Sequence, residues 1–90
     1  MLQTQQTNSF KNDRKLLKRQ KKDLAKMSQA MSLIASESPL PKVYRDHVLH
    51  GTYSGFRECH IKGDWVLIYR IDEAQKKALF VRTGSHAELL

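Results

Sequence analysis

The sequence predicts an α+β fold, an N-terminal helical hairpin packed on a small antiparallel sheet. Three observations carry this. Apolar residues recur at helical spacing between residues 24 and 34, a Ser/Pro-rich break occupies residues 36–41, and from Gly55 onward the apolar period is two. Helices followed by a meander of strands place the helices on one sheet face and leave the other free for chemistry. A chain of 90 residues is expected to form one domain spanning residues 1–90.

Residues 2–7 are polar but compatible with a short first strand. Ser9 suits an N-cap, with helix from Phe10. Between Phe10 and Asp23 only Phe10, Leu16 and Leu17 are apolar, so this helix is thinly anchored. Leu24, Met27, Met31 and Ile34 then form an apolar stripe widened by Ala30 and Leu33, and the methionines read as core packing. Phe10, Leu17, Leu24 and Met31 also lie seven apart, as in one long coiled-coil helix. Asp13 and Gln20 interrupt that seam, so two helices broken near residues 19–23 fit better. Pro39 and Pro41 close the helical half, and Val43–Gly51 connects it to the strands. Strands are expected at 56–61, 64–71 and 77–83, and Trp65–Tyr69, apolar on both faces, suits the centre of the sheet.

The longest apolar run, Trp65–Tyr69, is far too short to span a bilayer, and Met1–Gln6 lacks a signal-peptide layout. The single cysteine, Cys59, permits no internal disulfide, which fits a reducing compartment; a cytoplasmic location and no membrane partner are expected. Charge is concentrated. Residues 11–26 hold Lys11, Arg14, Lys15, Lys18, Arg19, Lys21, Lys22 and Lys26 against Asp13 and Asp23, a net +6 of the chain's +7. A block of this density attracts polyanions, and nucleic acid leads as the partner class.

The strand half carries histidines, carboxylates and an arginine. Whether they converge depends on the turn after His60. A two-residue Lys62-Gly63 turn sends His60 and Asp64 to opposite faces, whereas an Ile61–Gly63 turn with Gly63 left-handed sets His60 opposite Asp64, with Glu58 on the same face. Gly63 at the last loop position favours the second geometry. On the last strand Ala78, Phe80 and Arg82 are expected to share a face, with His86 just past the strand end.

Together His47, His50, His60, His86, Asp64, Glu58 and Arg82 could cleave RNA without a metal or other cofactor, His50, beside Gly51 in a loop, being the weakest member. A base takes the 2′-OH proton, an acid protonates the leaving 5′ oxygen, and a guanidinium holds the phosphate. Imidazole suits both proton roles at neutral pH. Trp65, Tyr53 and Phe56 could stack bases. The competing reading is a zinc site from His47, His50, Cys59 and His60. Against it, adjacent Cys59 and His60 on a strand point opposite ways, and no Cys-x-x-Cys pair exists. Cys59 reads instead as a small buried residue on the helix-facing side.

The run Tyr44-Arg45-Asp46-His47, then Gly55-Phe56-Arg57-Glu58-Cys59-His60-Ile61-Lys62-Gly63-Asp64-Trp65, then Arg82-Thr83-Gly84-Ser85-His86 resembles the YafQ branch of the RelE toxin superfamily. Likeness is strong over about residues 39–90 and is one of pattern in the helical half. The resemblance implies a microbial-ribonuclease-like fold and an mRNA interferase of a type II toxin–antitoxin module, acting in the ribosomal A site. It maps catalytic roles onto His47, His60, Asp64, His86 and Arg82, and a functional tryptophan onto Trp65. Glu58 stands where the family has aspartate, Leu90 where it often has an aromatic residue, and His50 lies outside the shared pattern. Implied partners are a cognate antitoxin, mRNA and the ribosome, with DNA reached only through the antitoxin complex. Lys11, Arg14, Lys15, Lys18, Arg19, Lys21 and Lys22 would then meet ribosomal RNA phosphates. The alternatives are a non-catalytic RNA- or ribosome-binding module and an antitoxin-binding repressor subunit.

Overall fold

A computed structural model describes residues 1–90. Five strands form one sheet in the order β1-β5-β4-β3-β2, with β1 at Gln3–Gln6, β2 at His47–Val48, β3 at Arg57–Lys62, β4 at Trp65–Asp72 and β5 at Lys77–Ser85. The meander β3-β4-β5 is antiparallel as expected, but β1 pairs parallel with β5, so the sheet is mixed. The first strand was visible in the sequence; its partner 74 residues away was not.

Helix α1 spans Asn8–Arg19 and α2 spans Ala25–Ala35, interrupted where expected. Lys21 adopts a left-handed conformation at the break, and the Asp23 carboxylate accepts the Ala25 N–H, giving α2 its start. Both helices take their principal contacts from the sheet, α1 on β5 and α2 on β3 and β5. Phe10 and Leu17 of α1 and Met27, Ala30 and Ile34 of α2 are buried. Most of them join Cys59, Ile61, Leu67, Tyr69, Ala78 and Phe80 in the core on this sheet face. Cys59 is inside as expected, and burial pushes its thiol up to about 12.

The cap of α1 is Thr7, not Ser9. Its Oγ1 accepts the Phe10 N–H at 3.0 Å and donates to the Val81 carbonyl at 2.7 Å. Val81 is the extra residue of a β-bulge, because Tyr69 faces Phe80 while the next pair along is Ile68 and Arg82. The bulge inverts the alternation, so Arg82 does not share a face with Phe80. It falls on the face of Ile68 and Glu58.

The β3–β4 connection also corrects the sequence reading. Lys62 pairs with Trp65 and His60 with Val66, with a bulge between His60 and Lys62, so the loop is Gly63-Asp64. Gly63 is left-handed, as expected, with φ 55°. Asp64 therefore stands in the turn and not on a strand opposite His60. The second sheet face is not bare either, since Val66 and Ile68 are fully buried on it.

The segment before β2 is fixed by Asp46. It accepts Arg57 Nε at 3.2 Å and Nη2 at 2.9 Å, and the Tyr69 hydroxyl at 2.5 Å. Burial and the Asp46 hydrogen bond push the Tyr69 hydroxyl well above the ordinary phenol range. This anchor brings His47 onto β2 directly across from Glu58.

Thr7→Ala removes the α1 cap and the bond to the bulge together. Urea unfolding is expected to show a loss of about 1–2 kcal/mol, against little change for Ser9→Ala.

Candidate active site

A side chain in the middle of β3 alternates between core and opposite face, and Glu58 takes the face away from the helices. It is nevertheless completely buried. An ionised carboxylate without water needs partners, and three imidazoles converge on it. His86, opening helix α3 (His86–Leu89), sets Nδ1 3.0 Å from Oε2. His60, two residues along β3, and His47, across on β2, set Nε2 3.3 Å and 3.4 Å from Oε1. The rings line up, with centroids 5.9 Å apart for His47–His60 and 6.4 Å for His60–His86.

Their other partners assign the protons. A guanidinium only donates, so Arg45 Nη2 at 3.1 Å makes His60 Nδ1 an acceptor and leaves the neutral ring's proton on Nε2, facing Glu58. The Arg45 carbonyl only accepts, so His47 Nδ1, 2.7 Å away, carries a proton. His86 Nδ1 likewise donates to the carboxylate, leaving Nε2 to solvent on a half-exposed ring. Oε1 lies close to two imidazoles, but neither is aligned as a hydrogen bond, and it is a buried polar atom without one.

Asp64 joins from the turn. Its carbonyl accepts the His86 N–H at 2.8 Å, and its carboxylate accepts the Ser85 hydroxyl at 2.6 Å. The Ser85 hydrogen bond, helped by the Ala87 N–H and the nearby His86 and His60, holds the Asp64 carboxyl below the usual aspartate range. Arg82, on the same sheet face as Glu58, bonds Asp13 and none of the imidazoles. Asp13 of α1 takes its Nε at 2.7 Å and Nη2 at 3.1 Å and also accepts the Thr83 N–H. Asp13 raises the Arg82 guanidinium further.

Trp65 faces the helices, its indole N–H on Thr83 Oγ1 at 2.9 Å and its ring against the core. Its edge still lines a groove of about 400 Å³ shared with Asp13, Lys22, Asp64 and Arg82. Lys11, Arg14, Lys15, Lys18 and Arg19 are exposed along α1, and Lys21 and Lys22 are exposed at the break after it. His50 is exposed at the start of a 3-10 turn, away from Glu58's partners. Cys59 points into the core, so it cannot join His47 and His60 on a metal.

Two partners escaped the sequence reading. Arg45 reaches His60 from a left-handed backbone (φ 47°) that no glycine announces. Asp13 appeared in the sequence only as a counter-charge within the basic block and an interruption of a heptad.

The family model for the bacterial toxin of the type II toxin–antitoxin system, YafQ, matches residues 2–90. The chain belongs to the YafQ toxin family. The mRNA interferase toxin YafQ of Escherichia coli is 41% identical over 81 residues, covering 89% of this chain and 86% of that protein. Among solved structures, a metal-bound toxin from Helicobacter pylori superimposes with a TM-score of 0.94 at 38% identity over 100% of both chains. The E. coli DinJ–YafQ complex gives 0.89 at 37% identity, over 100% of this chain and 99% of that one. These matches fit the mixed α+β architecture described above.

The metal in the Helicobacter toxin invites a test of the donors in this YafQ-family chain. His47, Glu58 and His60 each offer a ligand atom, all within 4.8 Å of one another, and Oε1 lacks a hydrogen bond. An imidazole–carboxylate set suits copper(II) or zinc. His47 is oriented for it by its Nδ1–H bond to the Arg45 carbonyl. His60 Nε2 becomes a donor only when Arg45 releases Nδ1.

Nitrogen-15 shifts of the neutral protein should report the Nε2–H tautomer for His60, and Arg45→Ala should weaken that preference. In Ser85→Ala the Asp64 titration midpoint should rise toward the unperturbed ~3.9. The sign follows from a depressed carboxyl. The Ser85 contribution to stability is full above that ordinary value and fades as pH falls through the lower midpoint, which acid-range unfolding curves of the two proteins would reveal.

Proposed function

We propose that this chain is an endoribonuclease toxin that cleaves mRNA, in the ribosomal A site, by acid–base catalysis at the histidines around Glu58. The observation carrying this is the convergence of three imidazoles on one buried carboxylate. The substrate 2′ oxygen attacks phosphorus in line as its proton leaves to a base. The bond to the 5′ oxygen breaks, an acid protonates that oxygen, and the products are a 2′,3′-cyclic phosphate and a 5′-hydroxyl.

His86 is suited to the acid role. Glu58 fixes its Nδ1–H and supports the imidazolium, so that Nε2 can deliver the proton. His47 Nε2 is suited to the base role, because Nδ1 carries the neutral ring's proton and the Glu58 carboxylate, 3.4 Å from Nε2, supports the imidazolium that forms. His60, tied between Arg45 and Glu58, holds the array in register. Asp64, kept ionised by Ser85, is a poor proton carrier at neutral pH; it orients His86 and its charge supports the imidazolium. Arg82 keeps guanidinium N–H groups beyond the two that Asp13 engages, and these can steady charge on the crowded phosphorane.

A copper- or zinc-like cation on His47, Glu58 and His60 would supply positive charge while occupying the imidazole nitrogens that proton transfer uses. The proposed reaction therefore runs without it. The exposed basic face of α1 suits ribosomal RNA phosphates and also an acidic antitoxin, a partner class supported by the E. coli complex. DNA contact would come through that antitoxin complex.

Induction of the wild-type chain should stop growth and create new 5′ ends in cellular mRNA at codon-related positions. His86→Ala and Glu58→Gln should each lower cleavage by about 10²–10⁴-fold while circular dichroism stays native. Toxin stripped of copper and zinc by a chelator that is then removed should cleave mRNA on magnesium-containing ribosomes as well as untreated wild type does. Growth arrest without new mRNA ends would favour the non-catalytic RNA-binding reading.

A further inference from the structure

Two arginines of the sheet are neutralised by a carboxylate, Arg57 by Asp46 and Arg82 by Asp13. A group of cations beside the histidine cluster is not. Lys26 of α2, Lys42 and Arg45 around the 3-10 turn at Lys42–Tyr44, and Lys62 at the β3–β4 hairpin line a cavity of about 590 Å³. No acidic residue lines it, and its one aromatic ring is the His60 imidazole. None of the four is in an ion pair, although they come from three separate parts of the chain. Gathering like charges without a counter-charge raises the local potential and destabilises the free protein, and a bound anion relieves that repulsion.

The cavity borders the histidine cluster. His60 forms part of its wall, and Arg45 spans the two, with Nη2 on His60 Nδ1 and further N–H groups free. Lys26 is steadied above the Tyr44 ring, its Nζ 5.5 Å from the centroid, so this cation is partly pre-positioned. Four cationic side chains against a single imidazole, itself engaged by Arg45, suit a phosphate better than a base.

We propose that this cavity is a second phosphate subsite, holding a phosphodiester next to the one cleaved, with Lys26, Lys42, Arg45 and Lys62 as donors. The assignment rests on the RNA-cleavage reading for its purpose, though binding can be measured without cleavage. Such a subsite would draw the strand across His60 and set the scissile bond against His47 and His86.

The test is a Lys26→Ala/Lys42→Ala/Lys62→Ala protein, with Arg45 left in place because it touches His60. Affinity for a 2′-O-methyl single-stranded oligonucleotide, which cannot be cut, is measured across a salt series beside the wild type. The variant should bind several-fold more weakly at low salt. Its log–log salt slope should be shallower by about 0.7 for each phosphate contact removed. In cleavage, KM should rise while kcat is largely kept, with a thermal midpoint no lower than that of the wild type.

An unchanged slope and KM in a folded variant would overturn the subsite. So would unchanged RNA binding together with lost affinity for a Glu-rich peptide, which would assign the surface to an acidic protein. If the wild type cuts no RNA but the slopes still differ, the subsite stands and the nuclease reading falls.

Discussion

The candidate site depends on a carboxylate that water cannot reach. Glu58 is buried on a sheet face whose neighbours Val66 and Ile68 are also inaccessible, so its charge must be met by protein. The chain meets it with imidazoles delivered by three routes: a neighbouring strand, the same strand two residues on, and a helix beyond the sheet. Each of those histidines is less useful alone. Held by one buried anion, they acquire defined proton positions and a common orientation.

That arrangement rests in turn on less conspicuous contacts. Asp46, gripping Arg57 and Tyr69, locates the segment that carries His47 and Arg45. Thr7 ties the start of α1 to the bulge at Val81, and that bulge turns Arg82 out of the core-facing phase. Asp13 then holds Arg82 at the flank of the groove. Positions that look like ordinary caps and surface charges therefore set the geometry of the groups that would meet a phosphate.

Much of this was legible in the sequence because it follows from periodicity. The meander, the break between α1 and α2, the central apolar strand and the inward Cys59 all express patterns of two or three to four residues. What escaped has no periodic signature. A bulge changes phase by one residue, so Val81 shifted Arg82, and the bulge before Lys62 moved Asp64 from strand to turn. Long-range partners were equally silent. Nothing local says that Asp13 will meet Arg82, that Arg45 will turn left-handed to reach His60, or that Gln3–Gln6 will lie parallel to Lys77–Phe80. Glu58 was noticed, but as one acid among several, since burial on a polar face comes from tertiary packing alone.

The parallel pairing of β1 with β5 bears on when in the life of the chain this protein can act. Sheet closure joins Gln3–Gln6 to Lys77–Phe80, and His86 follows β5. During synthesis the early strand has no partner until β5, 74 residues further on, has been made and has cleared the exit tunnel. The histidine cluster cannot assemble before then. For a molecule whose proposed target is the translating machinery itself, this topology keeps the centre unformed while β5 and His86 are still inside the ribosome that makes them.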